Sequence, residues 1–395
     1  MTALLFDWAS LLIRWAHMLA GIMWIGTSFY FIWLDASLRK AKDNPSIAGE
    51  SWMVHGGGFY QAEKYTVAPE QLPEELHWFK YEAYFTWLTG FALMSIIYYW
   101  GAEAFLISPS VQVMTPGQAI GLSVGSLVAG WIAYDLLCRS PIGTSTGTLA
   151  IGVFLLIAVA AFGYAHTFSG RAAFLHIGVF IGTIMVANVF FIIIPNQKKT
   201  VAALIAGEVP DAKYGAQAKQ RSLHNNYLTL PVLFMMISNH YPITYGHPLS
   251  WVIALGVVVA GGLIRHFYNQ HDAGALDWKG KAALPLAALA ILALIAVSAS
   301  RLGDGSGEPV DFAEVRQIVN THCISCHSAT PTDEGFEEAP LGVMFDTPKD
   351  VRKYAAQINA QSVLTDTMPL GNMTEMTDKE RQLLGAWVAQ GAEIE

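Results

Sequence analysis

The sequence predicts an all-α protein in two parts. A polytopic membrane bundle of about eight transmembrane helices occupies residues 1–300, and a small helical domain occupies 310–395. Three observations carry that expectation. The 395 residues are 53% hydrophobic and only 14% charged, against about 25% charged in an ordinary soluble domain, which excludes a purely soluble enzyme. Apolar stretches close to the ~20 residues that cross a bilayer recur eight times. The charge is also divided, with +2 over residues 1–301 and −10 over 302–395, for a total of −8. That balance excludes a basic nucleic-acid binder and makes the lipid bilayer the first expected partner.

The apolar stretches lie near 8–34, 80–100, 116–137, 147–166, 170–195, 223–240, 248–268 and 281–300, the sixth interrupted by Asn225, Asn226 and Pro231. Lys and Arg collect in alternate connections: Arg39, Lys40, Lys42, Lys64 and Lys80 after the first stretch, Arg139 after the third, Lys198, Lys199, Lys213, Lys219 and Arg221 after the fifth, and Arg265, Lys279 and Lys281 after the seventh. The remaining connections hold Arg171 alone. Basic loops stay in the cytoplasm, so both ends of the chain are expected outside. The expectation is a multi-pass membrane protein with its acidic domain on the outer side. The first stretch lacks a basic flank and is long enough to remain as a helix. Within the first connection, SWMVHGGGFY (51–60) reads as a short hairpin turning at Gly56-Gly57-Gly58. His17 precedes Arg39-Lys40 by the same offsets as His176 precedes Lys198-Lys199. Two parallel four-helix repeats would produce this, and so would chance. The segment RLGDGSGEP (301–309) is a flexible linker.

The most specific chemical signal is Cys323-Ile324-Ser325-Cys326-His327, the C-x-x-C-H of covalent c-type haem attachment. One helical turn brings both thiols to the vinyl groups, and the next residue presents an imidazole to the iron. The preceding 311–322 reads as a helix, with Asp311 and Glu314 at capping-box spacing. A zinc or redox C-x-x-C is the alternative, although no second cysteine pair exists. Cys138 stands alone, a small side chain near a helix end. Met368, in Thr367-Met368-Pro369, is the expected sixth iron ligand, with Met373 and Met376 as rivals. It precedes a terminal helix beginning near Thr377, an arrangement that resembles class I cytochromes c. The metal would thus sit between His327 and Met368, and Met/His ligation raises the potential of the iron.

Ionisable groups in the apolar stretches are functional candidates. On the outer side, Arg14, His17, Arg171 and His176 fall at similar depth. His17 and His176 could bind a b-type haem, the second cofactor this reading admits, with Arg14 or Arg171 on its propionates. The alternative is that each imidazole bonds to a neighbouring helix; His166, His240 and His247 are more exposed. On the inner side, Glu82, Asp135, Arg265 and His266, with His77 and His224 nearby, could hold an anionic substrate and supply a general base. Glu82, Asp135 and Arg265 are the candidate catalytic residues, unless these charges simply pair with one another. Gly143-Thr144-Ser145-Thr146-Gly147 is not a hydrolase elbow, because it joins two apolar stretches rather than a strand and a helix.

The stretches WAHMLAGIMWIGTSFYFIWLD (15–35), HGGGFYQAEKY (55–65) and LHWFKYEAYFTWLTGF (76–91), followed by a C-x-x-C-H domain, resemble the bacterial membrane-bound urate oxidases (urate hydroxylases) with a fused cytochrome c domain. The resemblance covers essentially the whole chain. It implies oxidation of urate to 5-hydroxyisourate in purine catabolism, with electrons passing through haem c to the respiratory chain, and not directly to oxygen. It implies a soluble cytochrome c or a terminal oxidase as partner, and it transfers no catalytic residues beyond the haem motif. The stretch from His17 to Trp24 and Gly26 is also similar to the first helix of small membrane haem-b proteins. Two other classes remain compatible with the residues: a non-catalytic b/c-type electron conduit in the membrane, and a redox-regulated transporter.

Overall fold

A computed structural model describes residues 2–40, 46–66, 69, 75–299, 308–333, 335–365 and 367–394; of the linker 301–309, residues 301–307 lie outside the described residues. The structure is 71% helical. Among the described residues, six helical runs are long and apolar enough to cross a membrane: Leu4–Ser37, Pro116–Arg139, Thr146–Ala165, Gly170–Ile205, Ser250–Asp272 and Trp278–Ala299.

Helix α1 (Thr2–Ser37) leads into a hairpin of β1 (Ile47–His55) and β2 (Gly58–Tyr65). The hairpin is longer than 51–60. Its turn is Gly56-Gly57, at φ +59° and +80°, the two positive values that a two-residue turn matching strand twist requires. Helix α2 (Tyr81–Met94) runs on through a π-helical turn, Ser95–Tyr99, and a second one follows at Ala102–Leu106. Helix α3 (Pro116–Arg139) begins with Pro116 behind a reciprocal Thr115–Gln118 capping box. A 3-10 turn (Pro141–Thr144) leads to α4 (Thr146–Ala165). Then α5 (Gly170–Ala187), a π-helical turn (Asn188–Ile193) and α6 (Ile194–Ile205) form one continuous run. Helix α7 (Ala212–Ser238) is followed by α8 (Pro242–Tyr245), α9 (Ser250–Asp272) and α10 (Trp278–Ala299).

Burial orders these helices. The most apolar window of the run containing α5 is 67% buried, against 6% for α1 and 11% for α10. Helix α5 is therefore the axis of the bundle, packed by α3, α4, α7 and α9, while α1 and α10 lie on its outside. Close approach depends on two glycines. A Cβ on Gly178 would fall 2.7 Å from Met235 Cβ, and one on Gly261 would fall 2.8 Å from the Pro231 ring. The proline interrupting the sixth apolar stretch is thus seated against α9. Gly261→Leu is expected to cost roughly 1–3 kcal/mol by overpacking, read as a lower unfolding temperature in detergent, whereas the same change at Gly262, which has nothing within 4 Å, should be tolerated.

The C-terminal residues form a second core. Helices α11 (Phe312–His322), α12 (Pro348–Lys353), α13 (Ala355–Ile358) and α14 (Asp378–Ala389) bury Val315, Val319, Val351, Leu384 and Trp387 together. Helices α11 and α14 meet through the rings of Phe312 and Trp387, 5.9 Å apart. Asp311 caps α11 through the Ala313 N–H, without a return bond from Glu314. Thr377 and Glu380 do form the full box on α14. This domain leans on the helical bundle at two places, with Leu370–Asn372 against Ala102–Leu106 and 359–363 against α8.

Glu380 accepts bonds from the Thr377 N–H and hydroxyl, both 2.7 Å, and meets His322 Nε2 at 3.2 Å. The Thr377 bonds, then His322, hold its carboxyl down at about 2. A depressed carboxyl contributes stability above its unfolded value of about 4.5 that is lost as pH falls toward 2. Thr377→Ala should cost about 1 kcal/mol as a lost cap and flatten the acid limb of unfolding between pH 4.5 and 2.

Candidate functional site

In the C-terminal domain, α11 ends at His322 and the chain tightens at once: the His327 N–H reaches the Cys323 carbonyl at 2.9 Å. Cys323 and Cys326 are free thiols. Burial pushes Cys323 up to about 12 and raises Cys326 as well. Redox C-x-x-C pairs work through a lowered thiol pKa, which is the opposite of this environment. His327 donates from Nδ1 to the Val343 carbonyl at 2.9 Å, which fixes the ring and leaves the Nε2 lone pair for a metal. The three methionines differ. Met376 is 3% exposed in the core and Met373 is 69% exposed, while Met368 is half-buried. Buried Arg381 donates to the Met368 carbonyl at 2.8 Å and to Asn372 Oδ1 at 3.1 Å, holding that loop from α14. Sequence reading missed Arg381, whose signal is a lone base on the buried face of a helix.

The outer-side candidates are brought together in part: Arg14 and Arg171 both lie close enough to the Tyr98 hydroxyl to interact with it, and the Tyr98 ring meets that of His176 at 6.4 Å. His17 donates from Nδ1 to the Thr86 carbonyl at 2.9 Å, on α2, with Nε2 left over. His176 is fully buried. It donates from Nδ1 to the Ala172 carbonyl and accepts at Nε2 from Ser123, both at 2.7 Å, and Ser123 in turn meets Tyr99 at 2.7 Å. Both ring nitrogens of His176 are thus committed to the protein. This is the arrangement expected where the imidazole bonds to a neighbouring helix rather than to a haem. His166 bonds to the Phe162 carbonyl of its own helix.

The inner-side cluster resolves into two buried networks on either side of α7. On one side, Asp135 meets Arg221 at 2.7 Å and Arg139 at 2.6 Å. Tyr134 donates to His224 Nδ1 at 2.6 Å and accepts from Asn188 at 3.0 Å, and Asn188 also reaches Asn225 at 3.0 Å. On the other side, Arg265 donates to Asn226 at 2.7 Å and Asn269 at 2.9 Å, its guanidinium 4.4 Å over the Phe29 ring. His266 pairs there with Tyr227 at 2.8 Å. Asp135 and Arg265 therefore do not share one site. Glu82 is half-buried at the start of α2 with no partner to its carboxylate among the described residues, and His77 meets Phe79 edge-to-face at 4.5 Å. Tyr134, Asn188 and Asn269 were not foreseen. Their signal was the Asn225-Asn226 pair, which serves one network with each amide.

A cavity of about 460 Å³ opens beside the first network, and an apolar one of about 350 Å³ lies between α3 and α4. Among the described residues, no group of three or more His, Cys, Asp or Glu side chains could hold a metal ion.

Membrane-length helices enclosing buried charge networks define the class, a helical protein with polar chemistry inside an apolar bundle. The chain belongs to the urate oxidase N-terminal family, whose profile matches residues 3–300. Membership connects it with urate metabolism and an oxidoreductase role. The match ends before the C-terminal domain begins. No curated protein and no solved structure matches the chain.

Proposed function

We propose that the protein is a membrane-bound urate oxidase that passes electrons to a haem c held by its own C-terminal domain. The observation that carries this is the family match over 3–300; the C-x-x-C-H domain behind it supplies an acceptor. Uric acid and water give 5-hydroxyisourate, two protons and two electrons, so the chain needs a site for a planar anion, a proton acceptor and an electron exit.

The residues of the C-terminal domain fit a haem c. Cys323 and Cys326 would attach it and His327 Nε2 would face its iron. Met368 would be the opposite ligand, since Met376 is locked in the core and Met373 is in solvent. When bound, this group supplies a one-electron acceptor of raised potential, so each urate requires two transfers. The Val343 carbonyl orients the imidazole and Arg381 fixes the methionine loop.

In this reading the helical bundle lies in a bacterial inner membrane. Eight crossings include α2 with its π-helical extension and the apolar second half of α7. The loops on which the C-terminal domain leans follow the second and sixth apolar stretches, the sides with few Lys or Arg, which supports a periplasmic position. The −10 charge on residues 302–395 suits a basic soluble cytochrome c or a terminal oxidase. Onward electron transfer should slow as ionic strength rises from ~10 to ~150 mM and the screening length shortens from about 30 to 8 Å; a rate indifferent to salt would remove that partner chemistry.

The test is visible absorption of purified protein in detergent without oxygen. Growth of a reduced haem c band on adding urate is expected. No change, in protein that dithionite does reduce, would overturn the reading and leave an electron conduit.

A further inference from the structure

We propose that the cavity beside Arg221 is where the anionic purine is held, with Arg221 as the group that meets its charge. This rests on the urate reading and deepens it to a site.

The cavity lies among the end of α3, the turn Pro141–Thr144, the π-helical turn Asn188–Ile193, α6 and α7. Its volume of about 460 Å³ falls within the ~300–1,000 Å³ typical of small-molecule sites. Arg221 lines it and is only 3% exposed. Asp135 accepts from its Nη2 at 2.7 Å, and the Tyr134 ring lies 4.9 Å from its Cζ, so the guanidinium plane is fixed. Its Nε and Nη1 are buried with no partner at hydrogen-bonding geometry, and the Tyr134 hydroxyl and Cys138 thiol are the polar groups close to it. Buried donors of a charged group are rarely left unmade, because the desolvation cost is not recovered. An acceptor reaching this guanidinium from the cavity that Arg221 lines would recover it.

The local charge points to an anion. Asp135 is shared by Arg221 and Arg139, one carboxylate between two guanidiniums, and Lys199 lines the same cavity. The remaining walls suit a flat heterocycle whose rim alternates N–H and C=O. Asn196 donates to Gln217 at 3.0 Å, which orients both amides and leaves the Asn196 carbonyl and the Gln217 NH₂ to offer an acceptor and a donor. Tyr214, with Lys199 4.8 Å over its ring, and Phe191 are the aromatic members of the lining. Arg265, the other buried guanidinium among the described residues of the helical bundle, lacks such a setting, because Asn226, Asn269 and Phe29 already occupy it.

The test uses the full-length protein in detergent, reduced with dithionite so that bound urate cannot turn over, with binding measured by calorimetry. Wild type should bind urate. Arg221→Gln should weaken binding by about 30-fold, the scale of lost hydrogen bonds to a charged group. Gln217→Trp, placed on the exposed side of α7, should weaken it at least ~10-fold by filling the cavity while leaving the unfolding temperature and haem spectrum unchanged; it decides the matter if Arg221→Gln does not fold. Inorganic phosphate at the same concentration should compete poorly. Wild-type affinity in both folded variants, or displacement by phosphate as effective as by urate itself, would overturn this site and leave the urate reading standing. If wild-type protein neither binds urate nor is reduced by it, the urate reading itself fails.

Discussion

Protein in which both Cys323 and Cys326 are replaced by Ala is expected to run without a haem stain on a denaturing gel and to show no absorbance change with urate. The effect should be complete if, as proposed, the two thiols are the covalent tether, since His327 alone offers one imidazole. His327→Ala separates the functions: the thiols can still attach the group, so the gel stain persists, while the iron loses the ligand that Val343 orients at 2.9 Å. Its potential should fall and urate-driven reduction should be lost. The methionines rank by their surroundings. Met368→Ala should lower the potential, since a Met/His pair raises it. Met373→Leu should change nothing measurable at 69% exposure, and Met376→Ala should destabilise the domain from its 3%-exposed place in the core, by about 2–5 kcal/mol, without moving the potential. A potential unaffected at 368 and shifted at 373 would overturn the ligand assignment.

Periodicity and caps made much of the architecture legible. The apolar stretches at 116–137, 147–166 and 248–268 became α3, α4 and α9 within a few residues, because apolar length, Pro116 and the Gly/Ser/Thr breaks all point the same way. Helix α7 was foreseen from 223 but begins at Ala212. Hydropathy cannot register its polar first half, whose Lys, Gln and Arg residues are good helix formers and are capped by Asp211. The candidate site was legible only as residue types. A single sequence places Asp135 and Arg265 near the inner ends of apolar stretches and Arg221 in a basic connection, but partner choice depends on how α7 is rotated. Consecutive residues on a helix point about 100° apart, so Asn225 and Asn226 serve different neighbours and split one imagined cluster into two. The partner of His176 shows the same dependence: its bond to Ser123 arises from the contact of α3 with α5, which no local pattern encodes.

Asp135→Leu should be the most damaging single change in the helical bundle. The Asp135 side chain is 10% exposed and that of Arg221 4%, whereas that of Arg139 is 60% exposed. Removing the carboxylate strands one buried guanidinium and frees another that water can solvate. Breaking a buried pair from one side typically costs about 3–5 kcal/mol, because the partner's desolvation is no longer offset. Arg139→Gln should cost only ~0–1 kcal/mol, as exposed pairs do. The double variant Asp135→Leu/Arg221→Met, two apolar groups of similar bulk, should recover most of the stability lost in Asp135→Leu, since replacing a whole buried pair is often neutral. Thermal unfolding in detergent would read all three, and a double variant no more stable than Asp135→Leu would mean that the pair is not what the carboxylate supports. The recovered double variant then isolates recognition from scaffolding. It should fold and keep a dithionite-reducible haem, yet bind urate no better than Arg221→Gln, because the one group it cannot replace with hydrocarbon is the buried cation that lines the cavity.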